Sequence, residues 1–278
     1  VTLGVFLAVM AAAFLHALWN ALIKLGTSKI GAMVILSIME VPIGLAVAFV
    51  AGPIDPAAIP WVIAAGLTHF AYKFFLSYAY ERGDLSRVYP IARGAAPMIV
   101  AVAGVFVLSD QLSNRQYLAI TILAAGILLM ARGVFASGEN RRLVPFALGS
   151  ALATATYTLI DGQGARISGN AVAYIAWVFV ADGLIFSLGM LALRGRAVIP
   201  AGGHAWRMGT IGAAASFGAY AISVWAMTFA PIALVAALRE TSILFAVLIG
   251  WLAFGERMSR EKLVAALVII SGVILTRF

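Results

Sequence analysis

The sequence predicts an all-α membrane protein of ten transmembrane helices, arranged as two inverted five-helix repeats around a central cavity. Three observations predict it. Of 278 residues, 63% are hydrophobic and 11% charged, with a mean hydropathy of +1.04. A water-soluble domain is about 45–50% apolar and about 25% charged, so too few polar side chains remain to coat a globular surface. The apolar residues also fall into ten blocks, most of them near the ~20 residues a helix needs to cross the hydrocarbon. Finally, the second half of the chain repeats the first with five spans per copy, an odd number, so the second copy enters the membrane from the opposite side.

In order, the spans are 2–23, 30–50, 60–80, 88–108, 116–131, 143–160, 170–193, 208–229, 231–254 and 263–276. Each is continuous in its apolar character, where a barrel would show alternating ten-residue strands. The first block has no basic flank before it and no small-residue cleavage site after it, so it reads as span one and not as a signal peptide. Breakers separate the spans: Gly52-Pro53, Pro56 and Pro60 after span two, Ser137-Gly138 after span five, Gly162 and Gly164 after span six, and Gly202-Gly203 before span eight. Span four holds Pro90, Arg93, Gly94 and Pro97, which predicts a kinked or unwound helix and a hinge, or a static kink. Span nine, opening at Pro231, is its partner in the second copy.

A shift of 146 residues superposes Arg93 on Arg239, Gly104 on Gly250, Asp110 on Glu256, Ser113 on Ser259, Ala119 on Ala265 and Gly126 on Gly272 without a gap. The repeats are 1–132 and 143–278, joined by a loop at 133–142. Lys and Arg divide unevenly among the loops. The odd-numbered loops hold Lys24, Lys29, Arg82, Arg87, Arg132, Arg141, Arg142, Arg194, Arg196, Arg207, Arg257, Arg260 and Lys262; the even-numbered ones hold Arg115 and Arg166. The positive-inside rule then places the odd loops in the cytoplasm and both termini outside.

Ionisable groups inside spans cost several kcal/mol unless they pair or face water, so they mark a candidate site. His69 and Lys73 lie one turn apart on span three beside Tyr72, either as a cavity wall or as helix-packing groups. Arg93 and Arg239 suit a substrate carboxylate, and Glu240 an ammonium or a proton; each serves equally to lock two helices together. Glu40 and Asp182, near the centres of spans two and seven, are proton-coupling candidates or paired carboxyls joining helices. His16, Trp19 and Asn20 share a face of span one; Thr154, Thr156, Tyr157, Thr158 and, at its end, Asp161 follow on span six, and Ser216, Tyr220, Ser223 and Trp225 on span eight. These form a polar and aromatic wall, with Trp19 alternatively an interface anchor.

Enzymatic chemistry is not indicated. There is no cysteine, no His-Glu-x-x-His helix and no phosphate loop, and the three histidines are scattered. The sequence therefore predicts no catalytic residue, metal or cofactor. The formal charge of +8 is spread singly over short loops and reads as a topology signal, with a lipid bilayer as partner and no nucleic acid.

The tract His16-Ala17-Leu18-Trp19-Asn20-Ala21-Leu22-Ile23-Lys24, the turns Ser109-Asp110-Gln111-Leu112-Ser113 and Gly255-Glu256-Arg257-Met258-Ser259, and the short glycine-containing final spans resemble the EamA branch of the drug/metabolite transporter superfamily. Within that branch the chain is similar to bacterial YddG-type amino acid exporters. The resemblance implies ten helices in two inverted repeats, a multi-pass location in a bacterial inner membrane, a small-molecule substrate and alternating access by bending helices. It transfers no site residues. The expectation is a secondary transporter exporting small amphipathic metabolites, neutral and aromatic amino acids first. An exporter of cationic drugs or other metabolites is the alternative, and an intramembrane enzyme or scaffold is the alternative of another class.

Overall fold

The computed structural model describes residues 1–25, 28–81, 93, 95–136, 141–255 and 258–276. Among them every regular element is helical: α1 Leu3–Leu25, α2 Lys29–Ala51, α3 Ile59–Tyr80, α4 Ala96–Val107, α5 Asn114–Ala136, α6 Val144–Ile167, α7 Ala171–Arg194, α8 Gly203–Met227, α9 Ile232–Arg239, α10 Ser242–Phe254 and α11 Arg260–Leu275. Six segments are each long and apolar enough to cross a membrane: Leu3–Ile23, Lys29–Ala51, Pro56–Ala79, Ala171–Arg194, Gly203–Met227 and Ile232–Ala253. Their outward faces carry large exposed apolar side chains, among them Phe49, Val50, Leu188 and Leu252. A surface of that kind requires a lipid solvent.

Local chemistry sets the helix ends. Ser28 caps α2 through Gly31 N–H, Asn170 caps α7 through Ala173 N–H, and Ser259 caps α11 through Lys262 N–H. Ser113 and Gln116 form a reciprocal box at the start of α5: the Gln116 N–H donates to Ser113 Oγ (3.3 Å) and the Ser113 N–H to Gln116 Oε1 (2.8 Å).

Three expectations from the sequence are corrected. Gly162 and Gly164 do not end span six; they lie inside α6, where a Cβ would strike Ile232 and the Tyr174 ring, so these glycines admit neighbours instead of breaking the helix. Span nine is interrupted at Glu240–Thr241, between α9 and α10, whereas Pro231 caps the start of α9. Pro97 falls in the first turn of α4, a position where a proline forfeits no hydrogen bond. Pro90 and Gly94 lie outside the described residues.

The 146-residue shift reappears in three dimensions. It carries the start of α4, Ala96, onto the start of α10, Ser242, and that of α5, Asn114, onto that of α11, Arg260. Helices α5 and α11 pack antiparallel through reciprocal glycines. A Cβ on Gly126 would meet Ile269 Cγ1 at 2.7 Å and the Ile269 nitrogen at 2.9 Å; one on Gly272 would meet Leu123 Cγ at 2.8 Å and the Leu123 nitrogen at 2.9 Å. Gly44 of α2 and Gly183 of α7 seat against each other's helices in the same way. The other principal pairings, α1 with α8 and α3 with α6, exchange under the same two-fold relation.

The connections gather at two ends. At the even-loop end, Asn170 Nδ2 donates to Ala51 O (2.7 Å) and Arg166 pairs with Asp110 (2.8 Å). At the odd-loop end, Arg194 Nε donates to the Tyr78 hydroxyl (3.1 Å), and Ser28 and Pro200 share one cavity.

Gly126→Ala and Gly272→Ala each force backbone apart and are expected to cost about 1–3 kcal/mol. Gly203→Ala, with open space at its Cβ, is expected to cost nothing measurable. Apparent melting temperatures in mild detergent check the contrast.

Candidate functional site

Three turns of α3 bring the site together. The i, i+4 spacing of His69 and Lys73 puts both on the face that meets α2, α6, α7 and α8, with Leu76 buried along the same stripe. Lys73 Nζ lies 2.5 Å from Glu40 Oε2 of α2, 2.6 Å from Asp182 Oδ2 of α7 and 2.9 Å from Ser37 Oγ. Ser216 of α8 donates to the second Glu40 oxygen at 2.9 Å. All three ionisable groups are at most 4% exposed. One ammonium facing two carboxylates leaves this cluster one formal negative charge in excess.

A second cluster sits at the interruption of span nine. Arg93 grips Glu240 with two parallel bonds, Nε to Oε2 at 2.8 Å and Nη2 to Oε1 at 2.7 Å, so the arginine of one repeat holds the carboxylate beside its own repeat partner. Arg239, 1% exposed, stands over the rings of Tyr220 (5.2 Å) and Tyr157 (5.8 Å). Its Nη2 reaches Thr158 Oγ1 at 3.5 Å and Glu240 Oε1 at 3.9 Å. Its Nε and Nη1 are buried with no hydrogen-bond partner among the described residues. Two guanidiniums against one carboxylate leave this cluster one formal positive charge in excess.

A further carboxylate, Asp161 of α6, is fully buried. It accepts hydrogen bonds from Tyr220 (2.7 Å) and Tyr174 (3.1 Å) and meets His69 Nε2 at 2.8 Å. The His69 ring stacks on Tyr157 at 4.2 Å, and Tyr72 meets Tyr157 edge-on at 5.4 Å.

These groups enclose a cavity of about 30 Å³, lined by His16, Trp19, Glu40, His69, Tyr72, Lys73, Tyr157, Phe179, Asp182, Ser216 and Tyr220, with Leu36. That is room for one or two waters. A second cavity of about 110 Å³ opens among Ser28, Pro200, His204 and Met208 at the odd-loop end and shares Leu36 with the central one. A wide depression of about 530 Å³, bounded by Arg166, Asn170, Trp225 and Phe229, marks the even-loop end.

The sequence-predicted residues are thus placed as follows. His16, Trp19, His69, Tyr72, Lys73, Tyr157 and Tyr220 line the central cavity together with the coupling candidates Glu40 and Asp182. Trp19 is 3% exposed, and its indole N–H donates to His16 Nδ1 at 3.2 Å. Arg93, Arg239 and Glu240 form the adjoining cluster. Asn20 does not line the cavity and donates to its own helix at His16 O (2.8 Å). Trp225 stands apart, on the even-loop depression, packed on Phe229 at 5.0 Å. Asp161, read from the sequence at the end of span six, and Ser216, read on the polar face of span eight, both join the site, whereas Ser37 and Phe179 were not singled out from the sequence. Treating Gly162 and Gly164 as packing glycines would have placed Asp161 inside span six. Among the described residues no group of three His, Cys, Asp or Glu is placed to hold a metal.

Two related helical halves with buried charge and cavities toward both ends define a multi-pass membrane protein with a polar core. The comparisons with known proteins place it further. The sequence profile of the EamA-like transporter family matches residues 2–132 and again residues 142–278, and the chain belongs to that family of transporters. No curated protein matches it. A solved crystal structure aligns over 98% of this chain and 98% of its own, with a TM-score of 0.75 at 18% identity, and that likeness shows the fold.

Removing Lys73 strands two carboxylates in a closed core. Lys73→Met is expected to cost about 3–5 kcal/mol, the usual penalty for breaking a buried pair from one side. The triple variant with Glu40→Gln and Asp182→Asn is expected to recover most of it, as read by denaturant or thermal midpoints in detergent.

Proposed function

We propose that the chain is a secondary active transporter that exports small amphipathic metabolites, above all neutral and aromatic amino acids, from the cytoplasm across a bacterial inner membrane. The observation that carries this reading is the polarity of the core. An excess negative charge at Lys73, Glu40 and Asp182 faces an excess positive charge at Arg93, Arg239 and Glu240 across a wall of tyrosines. A zwitterion complements both poles, and the rings of Tyr72, Tyr157, Phe179 and Tyr220 accept an apolar side chain. Arg239 takes the carboxylate, because its Nε and Nη1 are buried donors without a hydrogen-bond partner among the described residues.

A cationic drug suits the core less well. Both carboxylates of the negative pole already hold Lys73, and a guanidinium pole stands opposite with nothing in such a drug to pair with it.

In this reading ten helices cross the membrane as two inverted repeats, with odd loops cytoplasmic. The antiparallel seating of α5 on α11 supports the inversion. A cavity of about 30 Å³ is too small for an amino acid, so the described conformation is closed around the site and the cycle opens it to each side in turn. The matched interruptions before Ala96 and before Ser242 are the places where spans four and nine bend. Between substrates, a proton on Glu40 or Asp182 neutralises the excess charge and couples export to the proton gradient.

Counterflow of radiolabelled L-phenylalanine and L-threonine into proteoliposomes tests the reading. Accumulation that falls by about tenfold or more in Arg239→Gln, in folded protein, is expected. An inert wild type, a chemically altered label, or full activity in Arg239→Gln would overturn it.

A further inference from the structure

An ion pair helps to fasten the even-loop end. Arg166, in the last turn of α6, meets Asp110 of the α4–α5 turn through two bonds, Nη1 to Oδ1 at 2.8 Å and Nη2 to Oδ2 at 3.1 Å. The same guanidinium donates to Met227 O (3.0 Å) and Ala230 O (3.2 Å) in the α8–α9 turn. Asp110 Oδ2 also accepts the Ile232 N–H at 2.8 Å. Three separate connections are therefore joined at two side chains, which remain 25% and 16% exposed and so within reach of water.

The position of this pair matters as much as its bonds. On its outer side lies the 530 Å³ depression, of which Arg166 is part of the floor. On its inner side, five residues back along α6 and so about 7 Å, lies Asp161 with its bonds to Tyr220 and His69 at the central cavity. The first amide of α9 is tied to Asp110. The far end of that eight-residue helix, about 10 Å away, carries Arg239 and adjoins Glu240.

We propose that Asp110 and Arg166 are the gate on the even-loop side: closed as described here, the pair seals the central cavity, and its parting releases the α8–α9 turn and lets α9 carry Arg239 and Glu240 with it. The proposal rests on the transport reading above, but its test does not require transport. A bidentate pair set at the protein surface is strong enough to hold three turns and weak enough to exchange for water.

The chain has no cysteine, so Ser223→Cys supplies a single reporter. Ser223 is fully buried on α8, between Tyr220 of the cavity and Met227 of the gate. In vesicles of known orientation, an impermeant maleimide applied at the even-loop face is expected to label this cysteine about tenfold faster or more in Asp110→Asn and in Arg166→Gln. Arg166→Lys, which keeps the charge and loses the fork, is expected to be intermediate. The exchanged pair Asp110→Arg with Arg166→Asp restores the ion pair but not the bonds to Met227 O, Ala230 O and the Ile232 N–H, and is expected to return the rate part of the way toward its starting value. Unchanged labelling in both single variants overturns the gate while leaving transport intact. Loss of folded protein in both, unrelieved by the exchange, makes the pair a structural strut and overturns it as well. Absent counterflow by the wild type instead removes the transport reading.

Discussion

Charge held in hydrocarbon must be paired or wetted, and that constraint organises this protein more than any other. Glu40, Lys73 and Asp182 come from three helices that share no sequence proximity, and each would be costly alone. Their meeting fixes the rotation of α2, α3 and α7 about their own axes, because turning any one helix would carry its charge toward lipid. Arg93 and Glu240 do the same between the two halves. Packing then follows from the glycines, Gly44 against α7 and Gly126 against α11, which let backbones approach until those pairs can form.

A lock of this kind is also a source of mobility. A buried pair that only breaks even against its desolvation is a poor stabiliser but a specific one, and it yields when a competing partner arrives. The core holds one cluster with a negative excess, one with a positive excess, and Asp161 beside His69 and Tyr220. None of these reaches local neutrality without a proton or a ligand. The interruption at Glu240–Thr241 adds backbone freedom at the positive cluster, where a continuous helix would have fixed Arg239 rigidly to α10.

Much of the fold was legible in the sequence, because membrane helices declare themselves by composition and the repeat by matching glycines and charges. The same 146-residue shift that aligned Arg93 with Arg239 carries the start of α4 onto that of α10. What stayed hidden depended on contacts distant along the chain. Gly162 and Gly164 read as a turn until Ile232 and Tyr174 are seen filling the space their missing side chains leave. Glu40 and Asp182 shared a helix face with few polar neighbours, so nothing near them in sequence pointed to Lys73, which reaches them from another helix. The interruption of span nine has no glycine or proline to announce it. Its only trace is the register with Gly94 and Ala95 in the first repeat. Trp225 shows the opposite failure, an aromatic in the right helix that points to the vestibule and not to the site.

The central claim is that the charged core is a compartment reached in turn from both faces of the membrane. Its most direct test is the reactivity of one cysteine placed at Ser216, beside Glu40, toward an impermeant maleimide applied separately to each face of sealed vesicles. The account requires reaction from either face, slowed at both by saturating amino acid. A cysteine at 216 that is inert from both faces, or reactive from one face alone, would contradict it.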